Sequence, residues 1–407
     1  MNLLLKVLFL LYTWILIVLC RILRICFFPV FRLFPKGKKR TGSVLILATF
    51  YPGNAGYHYR AEKWAELWRR EGIKVDIFHT LSREKSERWS VGDELARFHL
   101  CNMSIRFWHV IKSLAYERVV VRRSLLRFND YGRLYLDKLL LSVHPEAVLD
   151  FDDDLTNNLK PTHASSLYGK LLLEDRFIFY RALKLYRRFT PGSEYLAMLL
   201  RNNNLKLSER NYLVVPSCVD YEKLTAKDYG SMGEVTTLVW IGSDGNQVYL
   251  DDMVPQLNEV HKAEKIELLV ISGKEYQHRE ARFSIRNVPW SLESETSDLY
   301  KGDIGIMPIK NDKMSRAKCG FKLIQYMGLG LVSVASAVTT NNRIVEDGVD
   351  GFLVREEGRW AEVLLGVIKR KKDFPSISAA ARKKILEKYS FKAHYKAFSE
   401  FLHIDLK

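Results

Sequence analysis

The sequence predicts an α/β protein with two doubly wound domains facing a cleft, preceded by a hydrophobic N-terminal membrane-anchoring helix. Three observations lead to this prediction. The chain has 407 residues, which is too many for one ordinary hydrophobic core. A pattern of buried strand, amphipathic helix and buried strand fills the first half and starts again near residue 236. Residues 3–20 form a nearly uncharged apolar stretch ahead of both halves.

The apolar stretch LLLKVLFLLYTWILIVLC, residues 3–20, would measure about 27 Å as a helix, slightly less than the hydrocarbon core of a bilayer. A cleaved signal peptide is disfavoured because no small-x-small cleavage site follows. A membrane-spanning helix and a shallow interfacial helix both remain open. Basic residues follow at 36–40 and only Lys6 precedes, so residues 1–40 are expected to contact an anionic membrane surface with the body of the protein in the cytoplasm.

The first half, residues 41–225, is predicted to form one domain. GSVLILATFYPGNAG (42–56) indicates a buried strand that ends in a loop, and RAEKWAELWRREG (60–72) indicates the helix that follows it. IKVDIF (73–78) completes a parallel βαβ unit. ERVVVRR and EAVLDFDDD indicate two more strands of the same sheet.

The second half, residues 226–380, repeats this organisation. TTLVWIGSDGN (236–246) indicates a strand running into a glycine-containing loop, and IELLVISG (266–273) and DIGIMPI (303–309) indicate further strands. The segment AKCGFKLIQYMGLGLVSVAS (317–336) indicates a helix followed by a strand. The aromatic helical tail, residues 381–407, completes the chain.

Lys318, Gly320 and Lys322 lie on a loop that enters a helix. A helix N-terminus presents free N–H groups and a partial positive charge, glycine permits close backbone approach, and lysines neutralise an anion. A second strand-to-helix loop offers Thr339 and Asn341 as donors. The pattern indicates a diphosphate site, and the alternative is a solvated lysine pair beside an ordinary helix cap.

Three consecutive aspartates, residues 152–154, end a strand of the first half. Asp152 and Asp153 are candidate catalytic carboxylates that orient an acceptor hydroxyl or stabilise positive charge. The alternatives are a helix cap at Asp154 and a solvated acidic loop. Arg60, the third candidate catalytic residue, begins a helix, where a cation opposes the helix dipole. It is expected to bind a phosphate or carboxylate, and the alternative is a salt bridge to the aspartates.

The five cysteines are scattered, odd in number and contain no CxxC pair, which argues against a disulfide framework or a zinc site. The net charge of +16 favours anionic partners. Because the cations are dispersed over both halves and concentrated near residues 36–40, with no stripe of interleaved aromatic residues, no nucleic-acid partner is expected.

Several blocks resemble the nucleotide-sugar-dependent GT-B glycosyltransferases of family four, the group 1 type. The main block is DIGIMPIKNDKMSRAKCGFKLIQYMGLGLVSVAS followed by NNRIVEDGVDGFLV. LVWIGSDGNQVYL, GYHYRAEKWAELWRREGIKVDIF, VLDFDDDL and VVPSCVDYEKL resemble other blocks of the family, in the same order. The resemblance covers about residues 42–400. It implies two Rossmann-like domains, with an acceptor in the N-terminal one and a nucleotide-sugar donor in the C-terminal one. It also implies that the tail returns to the N-terminal domain.

The resemblance implies roles for the residues of the second half. Lys318, Lys322 and Gly320 would hold the donor diphosphate and stabilise the leaving group without a metal or other cofactor. The remaining implied donor contacts are a phosphate-side set and a nucleoside-side set, namely Gly242, Ser243, Asn246, Thr339 and Asn341 for the first and Trp290 and Gln325 for the second. A position in the hydrophobic core is the alternative for Trp290.

The sequence departs from the family at the carboxylate pair Glu-x7-Glu, which would fall at Ala317 and Gln325. The expected function is sugar transfer, with retention of anomeric configuration, to a lipid-linked or surface-polysaccharide acceptor, as in polysaccharide or lipopolysaccharide biosynthesis at the cytoplasmic face of the inner membrane. The missing carboxylates support the alternative of a catalytically inactive GT-B-like subunit that binds a polysaccharide-assembly partner.

Overall fold

The chain folds into two compact units, each built on its own parallel sheet. The computed structural model describes residues 3–27, 42–82, 84–85, 95–126, 134–154, 178–203, 207–230 and 232–406. The N-terminal unit comprises Met1–Val215 with Ala397–Lys407, and the C-terminal unit comprises Pro216–Lys396. Two parallel sheets in an α/β chain confirm the predicted fold class.

The sheet of the N-terminal unit has five strands in the order β2-β1-β3-β4-β5, all parallel. Their bounds are β1 Val44–Leu47, β2 Val75–Phe78, β3 Arg118–Arg122, β4 Val148–Phe151 and β5 Arg188–Pro191. Residues of β1 and β4 are buried throughout, as expected for strands that carry helices on both faces. The carboxyl ends of β3 and β4 are in register, with Arg122 opposite Asp150.

The helices of the N-terminal unit are α1 Leu3–Ile22, α2 Lys63–Arg70, α3 Leu95–Lys112, α4 Tyr135–Val143, α5 Ile178–Leu185 and α6 Glu194–Asn203. A one-turn helix, Ala55–Tyr57, and a π-helical turn, His58–Glu62, lead into α2. Trp64 and Trp68 of α2 are fully buried and pack against Phe398, edge-to-face and tilted respectively, and Phe398 belongs to the tail residues of this unit. This aromatic packing is what ties the tail to α2.

Helix α1 lies on the N-terminal unit, where it contacts α3 and α4 and continues into a π-helical turn, Leu23–Phe27. Across the described parts of the chain, no helix combines the length and hydropathy that crossing a membrane requires. The spanning form of the predicted anchor is therefore not supported. The predicted basic flank, residues 36–40, falls outside the described residues.

The sheet of the C-terminal unit has six parallel strands in the order β11-β10-β9-β6-β7-β8. Their bounds are β6 Thr236–Ile241, β7 Ile266–Ser272, β8 Ser284–Pro289, β9 Ile304–Met307, β10 Val332–Ser336 and β11 Phe352–Val354. The order reverses between β9 and β6, which lie side by side although about sixty residues separate them. Ligands of such sheets bind beyond the carboxyl ends of the strands at this reversal.

Helices cover both faces of the second sheet. They are α7 Val254–Ala263, α8 Glu295–Leu299, α9 Phe321–Leu329, α10 Trp360–Ile368 and α11 Phe374–Lys388, with one-turn helices at Val248–Asp251, Lys313–Arg316 and Asn341–Ile344. The last helix, α12 Phe391–Phe401, begins in this unit and ends in the N-terminal unit. One hydrophobic cluster contains Trp240 and Trp360, and the other contains Tyr326 and Leu323 of α9. Two separate clusters fit a sheet buried on both faces.

The unit boundaries differ from the predicted ones, which placed residues 226–380 in the second domain and 381–407 in the tail. Val219 and Tyr221 pack into the C-terminal core, so this unit already begins at Pro216. Ala381 and Ile385 of α11 belong to the same core. The chain therefore enters the N-terminal unit only at Ala397. The polar composition of residues 221–235 marked a surface segment rather than the boundary itself.

Candidate functional site

The loop after β6 is held in place by its own side chains. The amide of Gly242 donates to the carbonyl of Ile271 at 3.1 Å, and a 3₁₀ turn follows over Asp244–Asn246. The Asn246 amide nitrogen donates to the Ser243 hydroxyl at 2.7 Å. The Asn246 amide oxygen accepts a hydrogen bond of 3.1 Å from the ammonium of Lys318. The structure thus brings together Ser243, Asn246 and Lys318, which the sequence predicted as one site.

Lys322 lies against the start of the same loop. Its ammonium nitrogen is 4.0 Å from the centroid of the Trp240 ring, a cation–π distance. A Cβ at Gly242 would lie 2.7 Å from the Lys322 ammonium and 2.7 Å from the Trp240 ring. Only glycine at position 242 therefore leaves room for this lysine, so the predicted Gly242 and Lys322 meet directly.

Gly320 shapes the mouth of α9. Its φ of 69° lies in the left-handed region, and no side chain caps the helix that begins at Phe321. A Cβ at Gly320 would clash with Ile344 of the neighbouring one-turn helix. Glycine is therefore required here by backbone conformation and by close approach, and no side chain in the described chain caps the start of α9.

The loop after β10 lies against Gly320. Asn341 is buried and its amide nitrogen donates to the carbonyl of Ser336 at 2.9 Å, which fixes the loop on the end of β10. Thr339 is half-buried. Thr340, between the two predicted residues, has a buried hydroxyl with no hydrogen-bond partner among the residues described. Its position beside Gly320 makes Thr340 a better donor candidate than Asn341, whose amide nitrogen is already used.

The lysine pair, Lys318 and Lys322, dominates the electrostatics of these loops. Burial lowers the pKa of Lys322 well below its ordinary value, and the neighbouring positive charge of Lys318 lowers it further. Within the part of the chain that the structure describes, no carboxylate forms an ion pair with either lysine. Two adjacent lysine amino groups without a carboxylate partner form a site that is complementary to a multiply charged anion, because the anion stabilises the protonated form of Lys322.

The two predicted nucleoside contacts differ in environment. Trp290 is half-buried against the core, and its indole nitrogen donates to Glu295 at 2.9 Å. This agrees with the alternative of a core position. Gln325 is buried on α9, and its amide nitrogen lacks a hydrogen-bond partner in the described chain. The amide nitrogen of Gln325 is thus an unpaired buried donor in the described chain, while the indole nitrogen of Trp290 is occupied.

In the N-terminal unit, Arg60 is buried and pairs with Asp150 at the end of β4. Its guanidinium also donates to the carbonyl of Val215 at 2.5 Å, and the Thr190 hydroxyl donates to Asp150 at 2.8 Å. The π-helical turn that leads into α2 places Arg60 over the strand end. Arg60 thus forms a salt bridge to the acidic strand, one of the two uses that its position predicted.

The predicted catalytic carboxylates lie in a cluster of arginines. Arg122 is within 2.5 Å of Asp152 and 3.3 Å of Asp150, and Arg123 is within 3.1 Å of Asp152 and 2.5 Å of Asp153. Burial alone would raise the pKa of Asp152, but Arg122 and Arg123 lower it to far below its ordinary value. Asp152 is therefore ionised at every physiological pH and cannot act as a general acid.

Arg122 and Arg123 were predicted only as part of a strand, with no role in the site. Their position could have indicated one, because the two arginines lie at the end of β3 and the aspartates lie at the end of the adjacent strand β4. No group of three or more histidine, cysteine, aspartate or glutamate residues in the described chain is placed to hold a metal ion.

Comparison with known proteins identifies the C-terminal unit. Residues 235–370 match the family model of the glycosyl transferases group 1. This segment contains the loops after β6, β9 and β10 and the lysine pair. A sequence search of the curated proteins finds no match.

Solved structures match nearly the whole chain. Sucrose-phosphate synthase from Thermosynechococcus elongatus has a TM-score of 0.63 at 12% identity, covering 89% of this chain and 98% of its own. HepE from Anabaena in complex with UDP and glucose has a TM-score of 0.57 at 11% identity, covering 89% and 99%. The catalytic domain of starch synthase IV from Arabidopsis thaliana, bound to ADP and acarbose, has a TM-score of 0.60 at 10% identity, covering 89% and 98%. The chain therefore has the GT-B fold of these structures, and residues 235–370 of its C-terminal unit match the glycosyl transferases group 1.

Proposed function

We propose that the chain transfers a sugar from a nucleotide-diphosphate-sugar donor bound at the carboxyl ends of β6, β9 and β10. The observation that carries this proposal is the lysine pair, which lies beside Gly242 and the uncapped start of α9 without a carboxylate partner in the described chain. A diphosphate supplies the missing negative charge. The amide groups at Gly320 and the Thr340 hydroxyl add uncharged donors.

The lysine pair also accounts for catalysis at the donor. As the bond from the sugar to the diphosphate breaks, negative charge grows on the leaving oxygen, and two preorganised ammonium groups stabilise it. This role needs no metal ion, so we propose a metal-independent transfer.

The arginine–aspartate cluster of the N-terminal unit is the proposed acceptor side. Asp152 is ionised, and Asp152 and Asp153 are both partly exposed, so they can accept a hydrogen bond from an acceptor hydroxyl or stabilise positive charge on the sugar. We propose a lipid-linked or surface-polysaccharide acceptor at the cytoplasmic face of the membrane, and retention of anomeric configuration. Proton NMR of the product reads the anomer directly, and an inverted product would overturn retention.

The first test is calorimetric titration of the full chain with UDP, GDP and ADP. UDP is the leading candidate because HepE is bound to it. We expect micromolar binding of one nucleotide. Lys322→Met should weaken it at least about hundredfold, since the substitution removes a charge-assisted hydrogen bond to the diphosphate at the start of α9. The matched control is Lys383→Met, an exposed lysine of α11, which should bind as the unaltered protein does.

If Lys322→Met and Lys383→Met weakened nucleotide binding equally, the nucleotide would not bind at the lysine pair. If none of the three nucleotides binds while the protein remains folded, the donor site is wrong. The alternative function, a catalytically inactive GT-B-like subunit, would then be favoured, as the missing carboxylates at Ala317 and Gln325 suggest.

A further inference from the structure

Most of the exposed side chains that the structure describes on α1 are apolar. Leu11, Ile15 and Ile22 are 55%, 60% and 45% exposed, and Ile25 in the following π-helical turn is 65% exposed. The other large apolar residues exposed along this helix are Val7, Leu8, Tyr12, Trp14, Val18 and Leu19. A contiguous apolar surface of this kind marks an interaction site, because monomeric soluble proteins rarely expose one.

The opposite side of α1 already has its partner. Thr13, Leu16, Ile17 and Cys20 are buried, and their spacing puts them on one stripe of the helix. With about 100° between successive residues, Leu11, Ile15 and Ile22 point away from this stripe. Packing on the N-terminal unit therefore leaves the exposed side free for something else.

A basic cavity lies at the carboxyl end of the same helix. It has a volume of about 80 Å³ and is lined by Cys20, Arg21, Arg24, Tyr135 and Lys138. This volume is several times the roughly 10–15 Å³ that one water requires. In the described part of the chain, no carboxylate pairs with the three cations that line it. An anionic group would be held between the end of α1 and helix α4.

We propose that this cavity binds the headgroup phosphate of an anionic bilayer lipid while the exposed side of α1 lies in the membrane interface. A helix with one apolar side and cations at its edge sits in the plane of the interface, with its apolar side in the acyl boundary and its cations at the phosphates. This inference rests on the proposed membrane association and is independent of the donor site.

Aromatic residues border the same surface. Tyr12 of α1 and Ser104 of α3 share a hydrogen bond of 2.8 Å, which brings the two helices side by side. Trp108, one turn beyond Ser104 on α3, is 60% exposed, and Trp14 is 46% exposed. Tryptophan and tyrosine prefer the headgroup level of a bilayer, so their position agrees with an interfacial orientation of α1.

Charge favours a bilayer over a second copy of this chain. Two copies that met symmetrically through α1 would each bring Arg21, Arg24 and Lys138 to the same interface. The chain carries a net charge of +16, so two copies also repel one another overall. An anionic bilayer offers negative charge and apolar depth together.

The test is cosedimentation of the full chain with vesicles of phosphatidylcholine alone or mixed with phosphatidylglycerol. We expect at least about tenfold stronger binding to the anionic vesicles. The combined substitution Arg21→Gln, Arg24→Gln and Lys138→Gln should abolish most of that preference. The matched control, Arg279→Gln with Lys372→Gln and Lys392→Gln, removes the same formal charge from exposed positions of the C-terminal unit and should retain it.

The apolar side is tested separately. Leu11→Ser with Ile15→Ser should weaken binding to both kinds of vesicle at least about tenfold, whereas Val235→Ser with Val349→Ser, also at exposed positions, should not. Thermal unfolding checks that each variant is folded. If the cavity substitutions disturb folding, the single change Lys138→Glu at a half-buried position replaces them and should lower the anionic preference alone.

Three outcomes would overturn the inference. These are equal loss in the two charge variants, equal binding to the two kinds of vesicle, or a dimer in sedimentation equilibrium that Ile15→Ser dissociates. Nucleotide titration of the same cavity variants separates this inference from the proposed donor site. Unchanged nucleotide affinity with lost vesicle preference supports both, whereas vesicle binding without nucleotide binding supports only the lipid site.

Discussion

Lys322 is the residue whose chemistry depends most on what binds beside it. Without an anion its ammonium is desolvated and lies next to a second cation, so its pKa is lowered well below the ordinary value of about 10.4. A bound diphosphate opposes both effects and raises the pKa again. Nucleotide binding should therefore be accompanied by uptake of a proton at Lys322.

The pH dependence of binding follows from this shift. Between the lowered pKa of the free site and about 10.4, the free lysine is mostly neutral and the bound lysine is charged, so nucleotide affinity should rise as the pH falls through that range. Calorimetry in buffers of different ionisation enthalpy, kept above pH 7.5 so that the nucleotide phosphates stay ionised, measures the protons taken up. A heat of binding that is independent of the buffer would contradict a neutral Lys322.

Folding has the opposite pH dependence. In that pH range the unfolded chain binds more protons at this position than the folded chain does, so Lys322 makes folding less favourable as the pH falls. The bound anion removes this penalty.

Gly242→Ala is expected to damage the donor site. The new Cβ would lie 2.7 Å from both the Lys322 ammonium and the Trp240 ring, so the lysine must leave its position. We expect about 1–3 kcal/mol of lost stability from overpacking and at least about tenfold weaker nucleotide binding. Urea unfolding and calorimetry measure the two effects.

Gly366→Ala is the matched control, because a Cβ at this glycine of α10 meets nothing within 4 Å. It should leave nucleotide binding unchanged and raise stability by about 0.5–1 kcal/mol, since alanine favours a helix more than glycine does. Unaltered nucleotide binding by Gly242→Ala would show that the loop after β6 does not position Lys322.

Sequence could predict the lysine and glycine positions because helix mouths and strand ends have local signatures. It could not predict that the Asn341 amide donates to the carbonyl of Ser336 while the Thr340 hydroxyl lacks a partner in the described chain. The directions of these two side chains decide this, and the sequence does not give them. It likewise left two uses for Arg60 open, since its partner Asp150 is ninety residues away.

At the scale of elements, the neighbouring ends of β3 and β4 carry the charge cluster of the N-terminal unit. Asp150 stands opposite Arg122 in the sheet and also pairs with Arg60 and accepts from Thr190. Asp150 thus contacts two buried guanidinium groups, which makes it the structural centre of the cluster. Arg122 also pairs with Asp152, which like Asp153 is partly exposed.

Asp150→Asn should therefore destabilise the N-terminal unit. Removing one member of a buried ion pair leaves buried positive charge less well compensated, here mainly on Arg60 because Arg122 also pairs with Asp152, and typically costs about 3–5 kcal/mol. Differential scanning calorimetry should show a lower unfolding temperature for this unit. Glu71→Gln, at an exposed position just after α2, is the control and should change stability by less than about 0.5 kcal/mol. Similar unfolding temperatures for both variants would contradict the structural role of Asp150.

The strands were the most predictable elements. Strands such as β6 and β7 are buried on both faces and form continuous apolar runs, bounded by glycine or polar residues. Helix α2 was predicted over residues 60–72, but its regular part covers only Lys63–Arg70. The π-helical turn ahead of it depends on the burial of Arg60, which no local pattern indicates.

At the scale of the whole molecule, the net charge of +16 raises the question of whether the protein binds nucleic acid. Nonspecific binding of this kind weakens steeply with salt because it depends on released counterions. We expect no retardation of single- or double-stranded oligonucleotides in gel-shift experiments at about 150 mM salt. A shift that persists at that concentration and competes with vesicles would contradict the lipid assignment of the basic residues near α1.

The two-unit organisation was predictable because the βαβ pattern restarts, whereas its boundaries were not. Val219 and Tyr221 lie in a stretch that is polar on average, yet their side chains are buried in the C-terminal core. Which side of a boundary a short segment joins is decided by a few side chains rather than by composition.

The order of the second sheet has a consequence for how the protein behaves at high concentration. Its two outermost strands expose unpaired backbone groups, the usual starting point for aggregation through added strands. At one edge, β11 has only three residues, and at the other β8 carries Arg286 paired with Glu267 and ends in Pro289, which has no N–H to donate. Neither edge offers a long, uncharged strand with which a strand of another chain could pair. We therefore expect that the C-terminal unit does not aggregate through its sheet edges.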